Sequence, residues 1–274
     1  ALSQAGSRIL LWLHDSAERQ EQAHRDLLTL RAKQSPEIAY FPQWDALPRP
    51  DTQHDPEIAG LRLRVLQSCR AIPRKDPLII VASIQALLQT CLEPEALEET
   101  TLTIELDGEL DLDRTTRQLL ESGYTFEPEV LAKGQVALKG GLLDLWPPTD
   151  PWPTRIELFG STVESMRRFD STSQRSVEKC AITIVPPAVP DPDATTATLL
   201  DYLDDSMTIV WSEPGSIRTH AAAHEALWCD GSATKMGVSL ERVEAAITSR
   251  PAISEVRIAP DHPVVTPDGL PQFF

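Results

Sequence analysis

No phosphate-binding glycine loop occurs in the 274 residues, neither G-x-x-x-x-G-K-[ST] nor G-x-G-x-x-G, so the ordinary signatures of nucleotide hydrolysis and dinucleotide binding are missing. No C-x-x-C pair occurs either. The four cysteines (Cys69, Cys91, Cys180, Cys229) lie far apart, which argues against a zinc ribbon or disulfide scaffold and for reduced thiols in a cytoplasm. No run approaches the roughly 18 apolar residues that cross a bilayer, and no signal-peptide pattern opens the chain, so no membrane partner is expected. Positive charge is scarce: 25 Lys and Arg against 41 Asp and Glu leave a net charge of −16. Such a surface repels phosphate backbones, so any DNA binding would be weak and would need a local basic face. What is present, 41% hydrophobic and 24% charged residues, is the composition of one or two globular domains. The chain opens on Ala1 and stops in a Pro/Phe stretch, which reads as a fragment.

The apolar run Arg8 to His14 has strand length, and Asp15-Ser16-Ala17-Glu18 offers a capping start for a helix to about Lys33. A strand at Ile38 to Phe41 precedes a loop with four prolines between Pro42 and Pro56, then a helix over Glu57 to Arg70. Leu78 to Ala82 is a continuous apolar run, the pattern of a strand buried on both faces of a parallel sheet, and a helix from Ile84 to Cys91 follows it. The order is half of a doubly wound sheet. Between Glu93 and Asp113 there are nine acids and no base, read as a solvated hairpin face. A helix around Arg114 to Ser122 then leads into strand signals at Val136 to Trp146, Arg155 to Phe159, Val163 to Phe169 and Ala181 to Val185. After Pro186 to Pro192 the buried-strand pattern returns at Met207 to Trp211, with a helix around Ser216 to Leu227 and a last strand at Glu255 to Ala259. The expected architecture is α/β: a parallel sheet domain (1–92 and 187–274) interrupted by a small α+β insert (93–186).

Several candidate chemistries are thin. A magnesium-holding acid is expected after a buried strand, yet Thr208 to Trp211 is followed by Ser212-Glu213. Only Lys139-Gly140-Gly141 resembles a glycine loop, and it falls inside the insert. His220 and His224 have one-face helical spacing beside Glu225, but the order H-A-A-A-H-E lacks the H-E-x-x-H base, so two surface histidines are the favoured reading. No G-x-S-x-G elbow supports a stand-alone hydrolase. No cofactor and no metal are expected.

Two segments stand apart. One is Phe41-Pro42-Gln43-Trp44-Asp45-Ala46-Leu47-Pro48, followed by Asp55-Pro56-Glu57-Ile58 and Arg62-Leu63; an aromatic, proline-clamped loop of this kind can be a rigid packing element. The other runs from Lys139-Gly140-Gly141-Leu142-Leu143-Asp144-Leu145-Trp146-Pro147 through Arg155-Ile156-Glu157-Leu158-Phe159-Gly160 and Val163 to Asp170, ending at Gln174-Arg175-Ser176. Strand alternation puts Arg155, Glu157 and Phe159 on one face and Ile156 and Leu158 on the other. An exposed aromatic beside an arginine suits a protein-binding hot spot, with packing under a neighbouring loop as the equal alternative, and replacing either should spare the core.

Together these segments resemble the N-terminal, UvrB-like module of bacterial transcription-repair coupling factors (Mfd). The family pattern runs F-P-x-W-E-x-L-P, then R-L, G-x-L-D-[IL]-[FW]-P, R-[IL]-[ED]-F-F, [VI]-[ED]-S-[IL]-R-x-F-D and [ST]-Q-R-[ST]. The match extends from about Arg8 to Val185 and again over Thr208 to Ile217. The resemblance implies a degenerate helicase-like sheet carrying an insert that recruits the excinuclease A subunit, UvrA. In full length such factors are ATP-dependent DNA translocases whose motor domains lie elsewhere. The family's UvrA-contacting positions correspond here to Lys139, Arg155 and Phe159. Lys139 stands where the family has Arg, and an ammonium cannot supply the bidentate fork.

The expected function is therefore a non-catalytic docking module in nucleotide excision repair, with UvrA as partner and possible contact with absent C-terminal domains. A UvrB-type module that engages damaged DNA is the alternative, and it would require a basic, aromatic face.

Overall fold

The computed structural model describes residues 9–32, 35–44, 55–70, 77–189, 194–228, 237–248 and 250–255. The first apolar run forms β1 (Ile9–His14), with Leu11 and Leu13 fully enclosed. The Ser16 hydroxyl accepts from the Arg19 amide and caps α1 (Ala17–Thr29), which ends before the expected limit at Lys33, itself outside the described residues. Then come β2 (Glu37–Phe41), α2 (Pro56–Arg70) and β3 (Leu78–Ser83). The part of the proline loop around Pro48 and Pro50 lies outside the described residues. Helix α3 (Ile84–Leu88) is shorter than its apolar pattern predicts, because Gln89 turns to extended backbone and Cys91 bridges Ala197 instead.

The acidic run is not one hairpin. It builds α4 (Pro94–Thr100), β4 (Leu102–Glu105), a turn with Asp107 at φ 65, and the start of α5 (Leu112–Glu121). All nine acids are exposed, so the solvated-face reading holds for the charges themselves. Next are β5 (Thr125–Phe126), β6 (Gln135–Lys139), β7 (Leu142–Leu145), β8 (Thr154–Phe159), β9 (Thr162–Phe169), β10 (Ser176–Lys179) and β11 (Ile182–Val185). The chain returns through a short 3-10 turn (Leu199–Tyr202) to β12 (Thr208–Ser212), α6 (Pro214–Trp228), α7 (Leu240–Ile247) and β13 (Ala252–Glu255). The last strand is thus placed earlier than expected, and 256–259 lie outside the described residues.

Three sheets result: a parallel five-stranded sheet in the order β13-β12-β1-β3-β2, a six-stranded sheet in the order β10-β9-β8-β7-β6-β5, and the pair β11-β4. In the six-stranded sheet all pairings are antiparallel except β5 with β6. Two hydrophobic cores accompany them. The first joins Leu11, Leu13, Leu66, Ile80 and Leu87 to Leu199, Ile209 and Ile217. The second joins Ile104, Leu119, Tyr124, Leu143, Ile156 and Met166. Leu97 of α4 belongs to the first core and Ile104 of β4 to the second, so the insert supplies its own core only from β4 onward.

Helix α2 stands between the two units. On one side Arg62 is completely enclosed: its Nη1 donates to the Pro42 carbonyl at 2.7 Å and its Nη2 to the Thr90 carbonyl at 3.3 Å. Its guanidinium also lies 4.2 Å from the Phe41 ring centre and 4.8 Å from that of Trp44. Burial pulls the Arg62 guanidinium down to about 10. The described part of the first unusual segment, Phe41 to Trp44 with Arg62, is therefore a packing element, closed around this cation.

On the other side, Gly60 faces the loop after β7 so closely that a Cβ there would sit 1.9 Å from the Pro148 carbonyl oxygen. Lys133 of the insert donates to Glu57 at 2.7 Å on the same helix. Gly60→Ala must push α2 and the Pro148 loop apart, an overpacking cost of about 1–3 kcal/mol. Its thermal midpoint should fall by several degrees in calorimetry, and an unchanged midpoint would contradict this close approach.

Candidate functional site

Two hairpins shape the insert's working end. Lys139 pairs with Leu142 across the two-residue turn Gly140-Gly141, and Phe159 pairs with Thr162 across Gly160-Ser161. Gly140 at φ 61 and Gly160 at φ 64 take the left-handed conformation that a Gly-X hairpin turn requires at its first position. Gly141 has a second constraint, because a Cβ there would lie 2.8 Å from the Leu158 carbonyl oxygen. The expected Val136 to Trp146 strand is thus a hairpin, and its glycines form a turn rather than a phosphate loop.

Register places the three sequence-predicted residues on one face. Asp144 lies opposite Ala137 on one side and Arg155 on the other, Leu142 lies opposite Lys139 and Glu157, and Arg155 lies opposite Arg167. Residues opposite one another in a sheet project to the same side. Ile156, at 0% exposure, points the other way into the second core. Lys139 and Phe159 stand at the turn end of this face, and Arg155 stands four residues before Phe159, about 13 Å back along β8.

Arg155 is the most elaborately held side chain of the face. Its Nε and Nη2 donate to the two carboxylate oxygens of Asp144 at 2.8 and 2.7 Å. Nη2 also donates to Gln174 Oε1 at 2.8 Å, and the guanidinium carbon sits 4.4 Å from the centre of the Phe169 ring. The Asp144 bond holds the Arg155 guanidinium above its ordinary value. Side-chain exposure is only 18% for Arg155 and 11% for Asp144. This corrects the expectation that Arg155 can be exchanged without cost: its removal would leave a poorly solvated carboxylate uncompensated. Asp144, Phe169 and Gln174 were visible in the sequence as motif letters, but their convergence on one guanidinium was not.

A second charge pair continues the face. Arg167 donates to Glu157 at 2.7 Å and Ser165 donates to the same carboxylate at 2.8 Å, and these bonds hold the Glu157 carboxyl below its ordinary value. Phe159, by contrast, is 79% exposed. Lys139 is 61% exposed, with Glu129 at 3.9 Å, a surface pair of small energetic weight. The acidic loop adjoins the Phe159 turn, where the Leu110 amide donates to the Ser161 carbonyl at 2.7 Å.

The other candidate residues have the following partners in the structure. Both strands flanking the central β1 end in serine: β3 at Ser83, where Ser83 caps α3, and β12 at Ser212, which accepts from Trp12 and donates to Glu255. His220 Nδ1 donates to the Ser216 carbonyl within its own helix at 2.9 Å. Among the described residues no group of three or more His, Cys, Asp or Glu could hold a metal ion. Of the cations that could touch DNA, Arg62 is buried, Arg64 is exposed, Arg70 pairs with Glu98, Arg167 pairs with Glu157, and Arg168 pairs with Glu178 at 2.5 Å. Arg74 and Lys75 lie outside the described residues, as does Cys229. No helix among the described residues is long and apolar enough to cross a membrane.

Comparison with known proteins agrees with this geometry. Residues 102–189 match the family model of the UvrB interaction domain, the span that begins at β4 and carries Lys139, Arg155 and Phe159. The chain is 30% identical over 145 residues to a transcription-repair-coupling factor of Haemophilus influenzae and 31% identical over 133 residues to one of Bacillus subtilis. These matches cover 53% and 48% of the chain, and 12% and 11% of the relatives. It is also 28% identical over 149 residues to the UvrABC system protein B of Thermosipho africanus, covering 54% of the chain and 22% of that protein. Residues 102–189 are therefore similar to the UvrB interaction domain family, and about half of the chain is similar to transcription-repair coupling factors.

Proposed function

We propose that this chain is a docking module that binds UvrA and thereby connects a transcription-repair coupling factor to nucleotide excision repair, with the sheet face of Lys139, Arg155 and Phe159 as the contact. The observation that carries the reading is the 79% exposure of Phe159 on the same face as a guanidinium already fixed in place. An aromatic left in water is a standing cost that a partner's apolar pocket removes, and aromatic and arginine anchors dominate protein interfaces. The family match over 102–189 and the names of the relatives support UvrA as that partner. A UvrB-type hold on damaged DNA is the weaker reading, since apart from the exposed Arg64 the cations described above are buried or paired with acids. The module is non-catalytic in this reading, and the parallel sheet is a degenerate helicase-like domain whose strands beside β1 end in Ser83 and Ser212 rather than an acid.

Phe159→Ala should weaken binding to purified UvrA by about 2 kcal/mol, roughly thirtyfold, with the thermal midpoint unchanged. Lys139→Ala should act mainly on the association rate. Arg155→Glu should lose both binding and stability, the latter by about 2 kcal/mol or more, because Asp144 is then left beside a second carboxylate. Titration calorimetry checks the affinities, stopped-flow binding the association rate and scanning calorimetry the midpoints, and Phe159→Ala binding like the parent would sink the docking reading. Calorimetric titration of the parent chain with ATP and magnesium should show no binding in the micromolar range, and a micromolar isotherm would overturn the non-catalytic reading.

A further inference from the structure

The G-x-L-D strand and the S-Q-R-S turn lie 30 residues apart in the sequence, yet both end on one atom group. Asp144 takes Nε and Nη2 of Arg155 from one side, and Gln174 Oε1 takes Nη2 from the other. We infer that Asp144 and Gln174 are positioning residues, which lock the Arg155 guanidinium over Phe169 so that it meets the partner already oriented. This rests on the docking reading above and adds to it how the contact is prepared.

The turn is built for this purpose at a local cost. Gln174 sits at φ 58, in the left-handed region that favours glycine. Its amide nitrogen donates to the Asp170 carbonyl at 2.8 Å, the Asp170 amide donates to the Arg175 carbonyl at 2.9 Å, and the Ser173 amide donates to Asp170 Oδ1 at 2.6 Å. Gln174 Nε2 donates to the Ser171 carbonyl at 2.8 Å, which turns Oε1 towards Arg155. A glycine would fit this backbone without strain but has no amide group to offer. A glutamine at this position is explained by its side chain, since the backbone alone favours another residue. Once Nε and Nη2 are engaged, Nη1 is left without a partner among the described residues, so Arg155 has one edge for a carboxylate or carbonyl oxygen of UvrA. A guanidinium held in this way loses little rotamer freedom on docking, which is how preorganisation raises affinity.

The test is Gln174→Gly in the intact chain, beside Gln174→Glu, which keeps an oxygen acceptor, and Phe159→Ala. Gln174→Gly relieves the backbone, so its thermal midpoint should not fall, while its affinity for purified UvrA should drop about fivefold. Gln174→Glu should bind within about twofold of the parent. In nitrogen-15 spectra the Arg155 Nη signals should be separate and slowly exchanging in the parent and merged in Gln174→Gly. Unchanged Nη signals would overturn the latch whatever UvrA does. Gln174→Gly binding like the parent while Phe159→Ala has lost binding would overturn it too. If both variants bind like the parent, the docking reading fails and this inference with it.

Discussion

A guanidinium with no access to water sets the position of helix α2. Removing an arginine from solvent is expensive, and Arg62 is tolerated because two backbone carbonyls and two aromatic faces replace its hydration. Those groups come from the end of β2 with the proline segment directly after it and from the exit of α3, so one side chain ties two separated stretches to one helix. Two residues earlier, Gly60 of the same helix lies against Pro148 of the insert. The close approach requires α2 to be held from within, and the placement of the insert follows from that hold.

The insert repeats the device with the opposite outcome. Arg155 is also stacked on a phenylalanine and ringed by acceptors, but its main partner is a carboxylate and its site is open on one side. Burial pulls the Arg62 guanidinium down, whereas the Asp144 bond lifts that of Arg155. One arginine closes a core, and the other is a charge prepared on a surface. Similar motif density in the two halves of the sequence therefore serves different ends, and only the degree of enclosure separates them.

Around Arg155 the face is a ladder of opposite charges, with Glu157 joined to Arg167 and Ser165. Such a face satisfies most of its charges in water, and it leaves Phe159 and, among the described residues, Nη1 of Arg155 unmatched. In the proposed docking reading, specificity from the ladder and affinity from one aromatic is a division of labour suited to a contact that is both selective and reversible. The exposed acids of the adjoining loop add a negative margin that disfavours phosphate backbones at the same surface.

Much of the fold was legible because it is written in local patterns. The apolar runs at Leu78 and Met207, the cap at Ser16 and the alternation of Arg155, Ile156, Glu157 and Leu158 reflect backbone geometry and nearest neighbours, which a sequence states directly. The division of the acidic run into α4 and β4 and the early exit of α3 were not legible, since each is fixed by contacts with segments distant in the chain. The same divide runs through the site. Phe159 and Lys139 could be placed on a face by counting, but whether Arg155 was loose or clamped depended on Asp144, Phe169 and Gln174 arriving from other strands. The sequence by itself determined the parity of each strand and the exposed aromatic; the tertiary structure decided which arginine is buried, which is presented, and at what cost either can be changed. Period and propensity act within a few residues, whereas the solvation of a charge depends on everything that folds up against it.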